Sequence, residues 1–244
     1  MKIFAHRGAA GTYPENTMVA FIEAKRSGAD GIELDVQLSK DGIPVVIHDE
    51  TLNRTTNGSG FVKDQTMGDM KKLNAGYKFG KQLGRRIPIP SLQEVFEWIQ
   101  STDLLCNIEL KNGVYLYPGL EEKVIQLVRG YGLEERVILS SFNHYSLVYA
   151  WRLAPEIETA PLYRDGIYMP WVYASSIGSR GMHPSIHAVP DALIIDAMAY
   201  GIQVRPYTIN GEEDIKRLLS INCSAIITDF PERAVRIREL NKSK

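Results

Sequence analysis

His6-Arg7-Gly8, then Glu33-Leu34-Asp35, then His48 supply side chains able to move protons, hold a cation and grip an anion. Each group closes a short apolar run that reads as a β-strand. Residues i and i+2 of a strand point to one face, so Glu33 and Asp35 project together, about 7 Å apart along the strand. Two carboxylates facing one way at the end of a buried strand are unfavourable unless something positive lies between them. A divalent metal suits that position, because hard cations take carboxylate oxygens. With two histidines and an arginine alongside, the set holds an acid, a base, a metal site and an anion clamp. Those are the parts needed to hydrolyse a phosphate ester.

Ile108-Glu109-Leu110-Lys111 repeats the i, i+2 spacing. A solvent-facing ion pair would give the same residues, but Leu104, Leu105 and Ile108 mark a central strand, where charges on the pocket face need a reason. The flanking Ile32, Leu34 and Val36 likewise mark the opposite face of the Glu33 strand as buried, whereas Asp41 reads as merely exposed. Arg7 has the planar fork that suits phosphate oxygens, and a salt bridge to Glu15 is compatible with that use. His144, His183 and His187 have weaker claims than His6 and His48. His144 begins a helix, and His183 has no evident partner. Gly8 and Gly11 flank a tight loop that is neither a P-loop nor a dinucleotide fingerprint. Trp171 reads as ordinary packing.

The elements that must position these residues alternate along the chain. Strands are expected at Ile3-Phe4-Ala5, 31–36, 105–110, 137–142, 159–163, 181–184, 203–208 and 225–229. Helices are expected from Asn16 or Thr17 to Gly28, then over 91–99, 120–131, 144–153, 191–200, 212–219 and from Glu232 onward. Lys40-Asp41-Gly42 signals a hairpin turn into an extra strand, Pro44 to His48. Residues 167–179 give no clear pattern. Eight strands with intervening helices specify an α/β fold, a TIM (β/α)8 barrel with a small insertion after the second barrel strand. Its catalytic residues lie at the C-terminal ends of strands, where His6, Arg7, Glu33, Asp35, Glu109 and Lys111 all fall. Residues 49–90, rich in Gly, Thr, Asn, Lys and Arg with one modest helix near 66–73, form the inserted cap-like segment.

A chain of 244 residues with 44% hydrophobic residues suits one large domain, a single TIM-barrel catalytic domain over 1–244. A net charge of −1 argues against a nucleic-acid binder. Cys106 and Cys223 suit a reduced interior without a disulfide framework. No apolar run reaches membrane-span length, and the first strand leaves no room for a signal peptide, so a cytoplasmic protein without stable membrane insertion is expected. The possibility of a homo-oligomer stays open.

These residues together resemble the glycerophosphodiester phosphodiesterase family. His6-Arg7-Gly8 with Pro14-Glu15-Asn16-Thr17 is similar to its opening motif. Glu33-Leu34-Asp35-Val36, Asp41-Gly42, Val45 to Asp49 and Asn53-Arg54-Thr55-Thr56 resemble its second block, Ile108 to Lys111 its third, and Thr228-Asp229-Phe230-Pro231 its last. The match spans nearly the whole chain and resembles the short cytoplasmic bacterial members. The resemblance implies a metal-dependent phosphodiesterase that releases an alcohol and sn-glycerol 3-phosphate from a small-molecule glycerophosphodiester. It implies Glu33, Asp35 and Glu109 as ligands of one Mg²⁺ or Ca²⁺, His6 and His48 as the acid/base pair, and Arg7 and Lys111 as phosphate contacts. The attacking group, a neighbouring glycerol hydroxyl or a water, is left undecided. Tyr207-Thr208-Ile209-Asn210 departs from a motif where the family often has tryptophan, and 165–179 matches poorly. Alternatives are a related barrel phospholipase acting on intact lipid, a non-catalytic phosphodiester-binding barrel, and a barrel isomerase or aldolase using Lys111 as a Schiff base.

Overall fold

Strand-length apolar runs alternate with amphipathic stretches, and each strand lays its next neighbour parallel to itself. The structure, a computed structural model, describes residues 1–82 and 84–242. The first half contains β1 (Lys2–Ala5), α1 (Met18–Arg26), β2 (Gly31–Leu38), β3 (Pro44–Val46), α2 (Met67–Met70), α3 (Leu92–Ile99), β4 (Leu105–Leu110) and α4 (Leu120–Gly130). The second contains β5 (Val137–Ser141), α5 (His144–Leu153), β6 (Glu158–Tyr163), α6 (Pro170–Ser176), β7 (Gly181–Pro184), α7 (Asp191–Ala199), β8 (Gln203–Val204), α8 (Glu212–Ser220), β9 (Ala225–Thr228) and α9 (Pro231–Lys242).

The strands run in the order β8-β7-β6-β5-β4-β2-β1-β9, all parallel, with β3 antiparallel on β2. The ring closes where Ile227 N–H donates to Pro206 O at 3.0 Å and Ile209 N–H to Ile227 O at 2.8 Å. The fold is a TIM (β/α)8 barrel, as the alternation requires. Strand β8 is shorter than the expected 203–208, although Arg205 N–H and Tyr207 N–H still donate to Met182 O and Pro184 O of the β7 side; Pro206 has no N–H to give toward β9. The poorly patterned 167–179 stretch contains α6, which starts with Pro170 in its first turn. Thr17, not Asn16, caps α1, its side chain accepting from Ala20 N–H. A Ser91–Glu94 capping box starts α3.

Alternate residues of each strand face outward into two apolar layers beneath the helices. One packs Ile32, Leu34, Val36, Ile108 and Leu110 against Phe21, Phe96, Val124 and Val128. The other packs Ile3, Met182, Val204 and Ile226 against Ile194, Ile215 and Leu218. The inward residues Phe4, Ile138, Ala160, Ala225 and Ile227 fill the barrel. A side chain on Gly31 would run into this plug, since its Cβ would lie 2.6 Å from the Phe4 ring. Nearer the N-terminal ends of the strands, Arg205 donates to Glu158 at 2.8 Å, with the buried His183 imidazole 3.5 Å away. His183 therefore belongs to the barrel interior. The segment after β3 has its own apolar cluster of Val45, Ile47, Leu52, Val62, Met67, Met70 and Ile89.

Phe4 is fully buried at the barrel centre. Phe4→Ala is therefore expected to cost about 3–5 kcal/mol of unfolding free energy, read as a lower urea midpoint with unchanged slope.

Candidate active site

The C-terminal ends of β1, β2, β4 and β9 meet around a cavity of about 120 Å³, bordered by His6, Arg7, Glu33, His48 and Glu109 together with Tyr207 and Thr208. Asp35 lies just behind it, and Lys111 borders an adjoining groove of about 430 Å³. All seven residues singled out in the sequence thus converge at one end of the barrel.

Local structure explains the convergence. Glu33, Asp35 and Gln37 share the inward face of β2, while the residues between them face the helices. Parallel register sets Asp35 beside Glu109 on β4. One carboxylate oxygen from each of Glu33, Asp35 and Glu109 lies within 4.8 Å of the other two, and all three side chains are buried. After β1 the chain turns sharply. Arg7 at φ 52° and Gly8 at φ 81° both lie in the left-handed region. A Cβ on Gly8 would come within 2.7 Å of Ala20, so glycine is required there. This turn aims the Arg7 N–H at Glu33 Oε2, 2.7 Å away. The Arg7 guanidinium donates to Glu15 at 2.8 Å, as the sequence allowed, and its Nε lies 3.3 Å from Asp35. Lys111 donates to Glu109 at 2.8 Å.

Each candidate histidine is tied by its Nδ1. His6 Nδ1 lies 2.7 Å from Asp229 Oδ1, and His48 Nδ1 lies 2.7 Å from Asp49 Oδ1. A carboxylate only accepts, so each Nδ1 carries the proton and each Nε2 is left to exchange one. Both aspartates are held in turn. Asn210 donates to Asp229 at 2.7 Å. Arg54 forks onto Asp49 at 2.6 and 2.9 Å, and onto Glu15 at 2.6 and 2.7 Å. Beneath His48, the buried Gln37 amide donates to the carbonyls of Ile47, His48 and Asp49, while Tyr117 O–H donates to its Oε1 at 2.9 Å.

Charge crowding shifts the titration of the centre. Burial, reinforced by Asp35, pushes Glu33 up to about 8, and burial with Asp35 also raises Glu109. Burial opposes ionisation of Asp35 too, but Arg7, His48, Lys111 and the Asn16 amide outweigh it and hold Asp35 low. Burial disfavours His6 imidazolium, yet Glu33 and Asp229 win and raise its pKa. The residues fit a divalent cation. They supply three clustered oxygen donors, two of them, Glu33 and Glu109, poorly ionised because they are buried beside negative neighbours, and Asp35 Oδ1 is buried without a hydrogen-bond partner.

Residues 6–233 match the model of the glycerophosphoryl diester phosphodiesterase family. The chain belongs to that family. It is 50% identical over 241 residues to a glycerophosphodiester phosphodiesterase of Bacillus altitudinis, covering 98% of each chain. It is 48% identical over 236 residues to that of Caldanaerobacter subterraneus subsp. tengcongensis, covering 96% of each. Among solved structures, an Oleispira antarctica phosphodiesterase in complex with the product sn-glycerol-3-phosphate superimposes with a TM-score of 0.86 at 32% identity, covering 98% of this chain and 97% of that one.

In this member of the glycerophosphoryl diester phosphodiesterase family, sequence reasoning missed the supports of the site. Asp229 ends the last strand inside the quoted Thr-Asp-Phe-Pro motif, so its position was a usable signal. Asn16, read as a possible helix cap and as part of the opening motif, sits at φ 55° and donates to Asp35 at 2.8 Å. Asn210 lies in the quoted Tyr207-to-Asn210 motif without a role having been assigned to it, and Gln37 and Tyr117 left no comparable trace. Trp171 is packing, stacked on Tyr200 at 5.1 Å between ring centroids, while its neighbours Tyr168 and Val172 are exposed. Among the described residues no helix is long and apolar enough to cross a membrane.

A raised carboxyl pKa means that the folded state keeps a proton the unfolded state has lost. Without metal, stability should therefore fall as pH rises from about 4.5 to 8, and the raised His6 pKa acts in the same direction. Melting temperature measured in EDTA is expected to drop by about 5 °C over that range. Glu33→Gln should flatten the drop. Millimolar Mg²⁺ or Ca²⁺ should raise the melting temperature of the wild type and not of Glu33→Gln.

Proposed function

We propose that this chain hydrolyses glycerophosphodiesters to an alcohol and sn-glycerol 3-phosphate, with Glu33, Asp35 and Glu109 holding one divalent cation. The observation that carries the proposal is the pair of Nδ1-anchored histidines facing a cavity walled by Glu33 and Glu109, with Asp35, the third buried carboxylate, just behind it. Family membership supports the reaction class. The all-oxygen donor set favours Mg²⁺ or Ca²⁺ over softer metals. When bound, such a cation would supply Lewis-acid stabilisation of charge on the phosphoryl oxygens.

The remaining chemistry belongs to side chains of this protein. His6 and His48 each present Nε2, one to take a proton from the attacking hydroxyl and the other to give one to the leaving alkoxide. Asp229 and Asp49 fix the ring orientation and favour the imidazolium formed in transit. Arg7 and Lys111 offer positive charge to the diester, oriented by Glu15, Asp35 and Glu109. Residues 49–90 act as the cap-like insertion of a single barrel domain, and its Asp49 and Arg54 bind the His48 side of the site together. The two free, buried cysteines suit a reducing compartment, in keeping with a cytoplasmic reaction on a small soluble substrate.

The direct test is release of sn-glycerol 3-phosphate from glycerophosphocholine with Mg²⁺, with Ca²⁺ and with EDTA. Release that a metal supports and EDTA stops is expected. A folded protein inactive with either metal would move the reading to another phosphodiester or to a binding protein. His6→Ala and His48→Ala should each keep the melting profile and lower kcat by about 100-fold or more. Substantial residual turnover in either variant would remove that histidine from the proton path.

A further inference from the structure

The inner cavity and the outer groove share four residues: His48, Glu109, Phe142 and Arg164. Through these residues the inner cavity, about 120 Å³, opens into the larger outer groove, about 430 Å³. A diester that spans the two has one half inside and the other along the groove. Its phosphate, which joins the halves, falls at the junction those four residues frame.

Three fixed cations reach this region, and two already have carboxylate partners. Arg7 pairs with Glu15 and Asp35, and Lys111 pairs with Glu109. Among the described residues no carboxylate pairs with Arg164. Its guanidinium lies 5.1 Å over the Phe142 ring and beside the Tyr207 hydroxyl, which itself donates to Tyr163 O at 3.1 Å. The aromatic face supports the planar group without neutralising it, so its fork of donors remains available to an anion.

We propose that Arg164, which follows β6, is a substrate-binding residue that grips an anionic oxygen of the scissile phosphodiester at the junction of the two cavities. This rests on the phosphodiesterase reading above and adds a third basic contact to Arg7 and Lys111. Its geometry differs from theirs. Arg7 and Lys111 are held by the carboxylates that would carry the cation, whereas Arg164 approaches from the opposite wall, where Tyr207 and Phe142 stand.

The test compares wild type, R164Q and R164K by titration with sn-glycerol 3-phosphate, and by kcat/KM on glycerophosphocholine and glycerophosphoserine. R164Q should weaken sn-glycerol 3-phosphate binding at least tenfold and lower kcat/KM at least tenfold on both substrates. R164K should fall between. Arg164 is exposed, so melting temperatures should stay alike. Unchanged binding and turnover in R164Q would overturn the proposal. Loss confined to glycerophosphoserine would overturn it too, by moving Arg164 to the alcohol's own anionic group. If wild type hydrolysed neither substrate, the activity reading would fall, while the titration with sn-glycerol 3-phosphate would still decide whether Arg164 holds a phosphate.

Discussion

Three buried carboxylates with oxygens within 4.8 Å of one another are the constraint around which the mouth of this barrel is organised. Water cannot screen Glu33, Asp35 and Glu109, and each raises the energy of ionising the next. The surrounding groups answer that repulsion unequally. Asp35 receives Arg7, Lys111 and the Asn16 amide and stays ionised. Glu33 receives a backbone N–H and a histidine 3.9 Å away, and its proton is correspondingly hard to remove. Such a group of oxygens fits a compact dication, while Arg7 and Lys111 offset part of the repulsion.

The same charges connect the centre to its periphery. Arg54 joins Asp49 to Glu15, and Glu15 joins Arg54 to Arg7, which faces Asp35. His48 is thereby linked to the carboxylate centre through alternating charges, although it stands on the segment after β3 rather than on a barrel strand. Gln37 reinforces the link from below, because one buried amide gathers three successive carbonyls around His48. The histidine supplied by the least regular part of the chain is in this way held as firmly as the one supplied by β1. Deleting a single member such as Arg54 would break the link between Asp49 and Glu15 and leave Asp49 only His48 and Glu15 only Arg7, so its effect would exceed the modest worth of an exposed ion pair.

The fold was legible because its signals are local and periodic. Apolar alternation placed β2 and β4, and period two put Glu33 and Asp35 on one face before any neighbour was known. The barrel rule then assigned them, with His6 and Glu109, to one end. What stayed hidden depends on contacts between residues far apart in the chain. Nothing near His6 announces Asp229, 223 positions away, as its partner. Asn16 carries the letter of a helix cap, but its own left-handed backbone, with its N–H on Arg7 O, accompanies an amide that donates to Asp35. The strand expected to reach Thr208 is regular only over Gln203–Val204, yet its bonds to the β7 side continue through Tyr207, and Pro206 withholds a donor only from β9.

The barrel interior divides its labour along its axis, and that division accounts for the reactivity assigned to its mouth. At the N-terminal ends Arg205 and Glu158 neutralise each other beside an unprotonated His183, whose pKa burial and the arginine both depress. In the middle Phe4 and four aliphatic side chains exclude water. A dry floor under the carboxylates lowers the local dielectric, so every charge above it acts more strongly on its neighbours than it would in solvent. The opposed titrations of Glu33 and Asp35, two positions apart on one strand, follow from that floor together with the one-sided placement of Arg7 and Lys111. A polar residue at position 4 would wet the floor and bring the two carboxylates back toward alike behaviour. The apolar plug that stabilises the barrel is therefore also what raises the affinity of Glu33 above it for a proton.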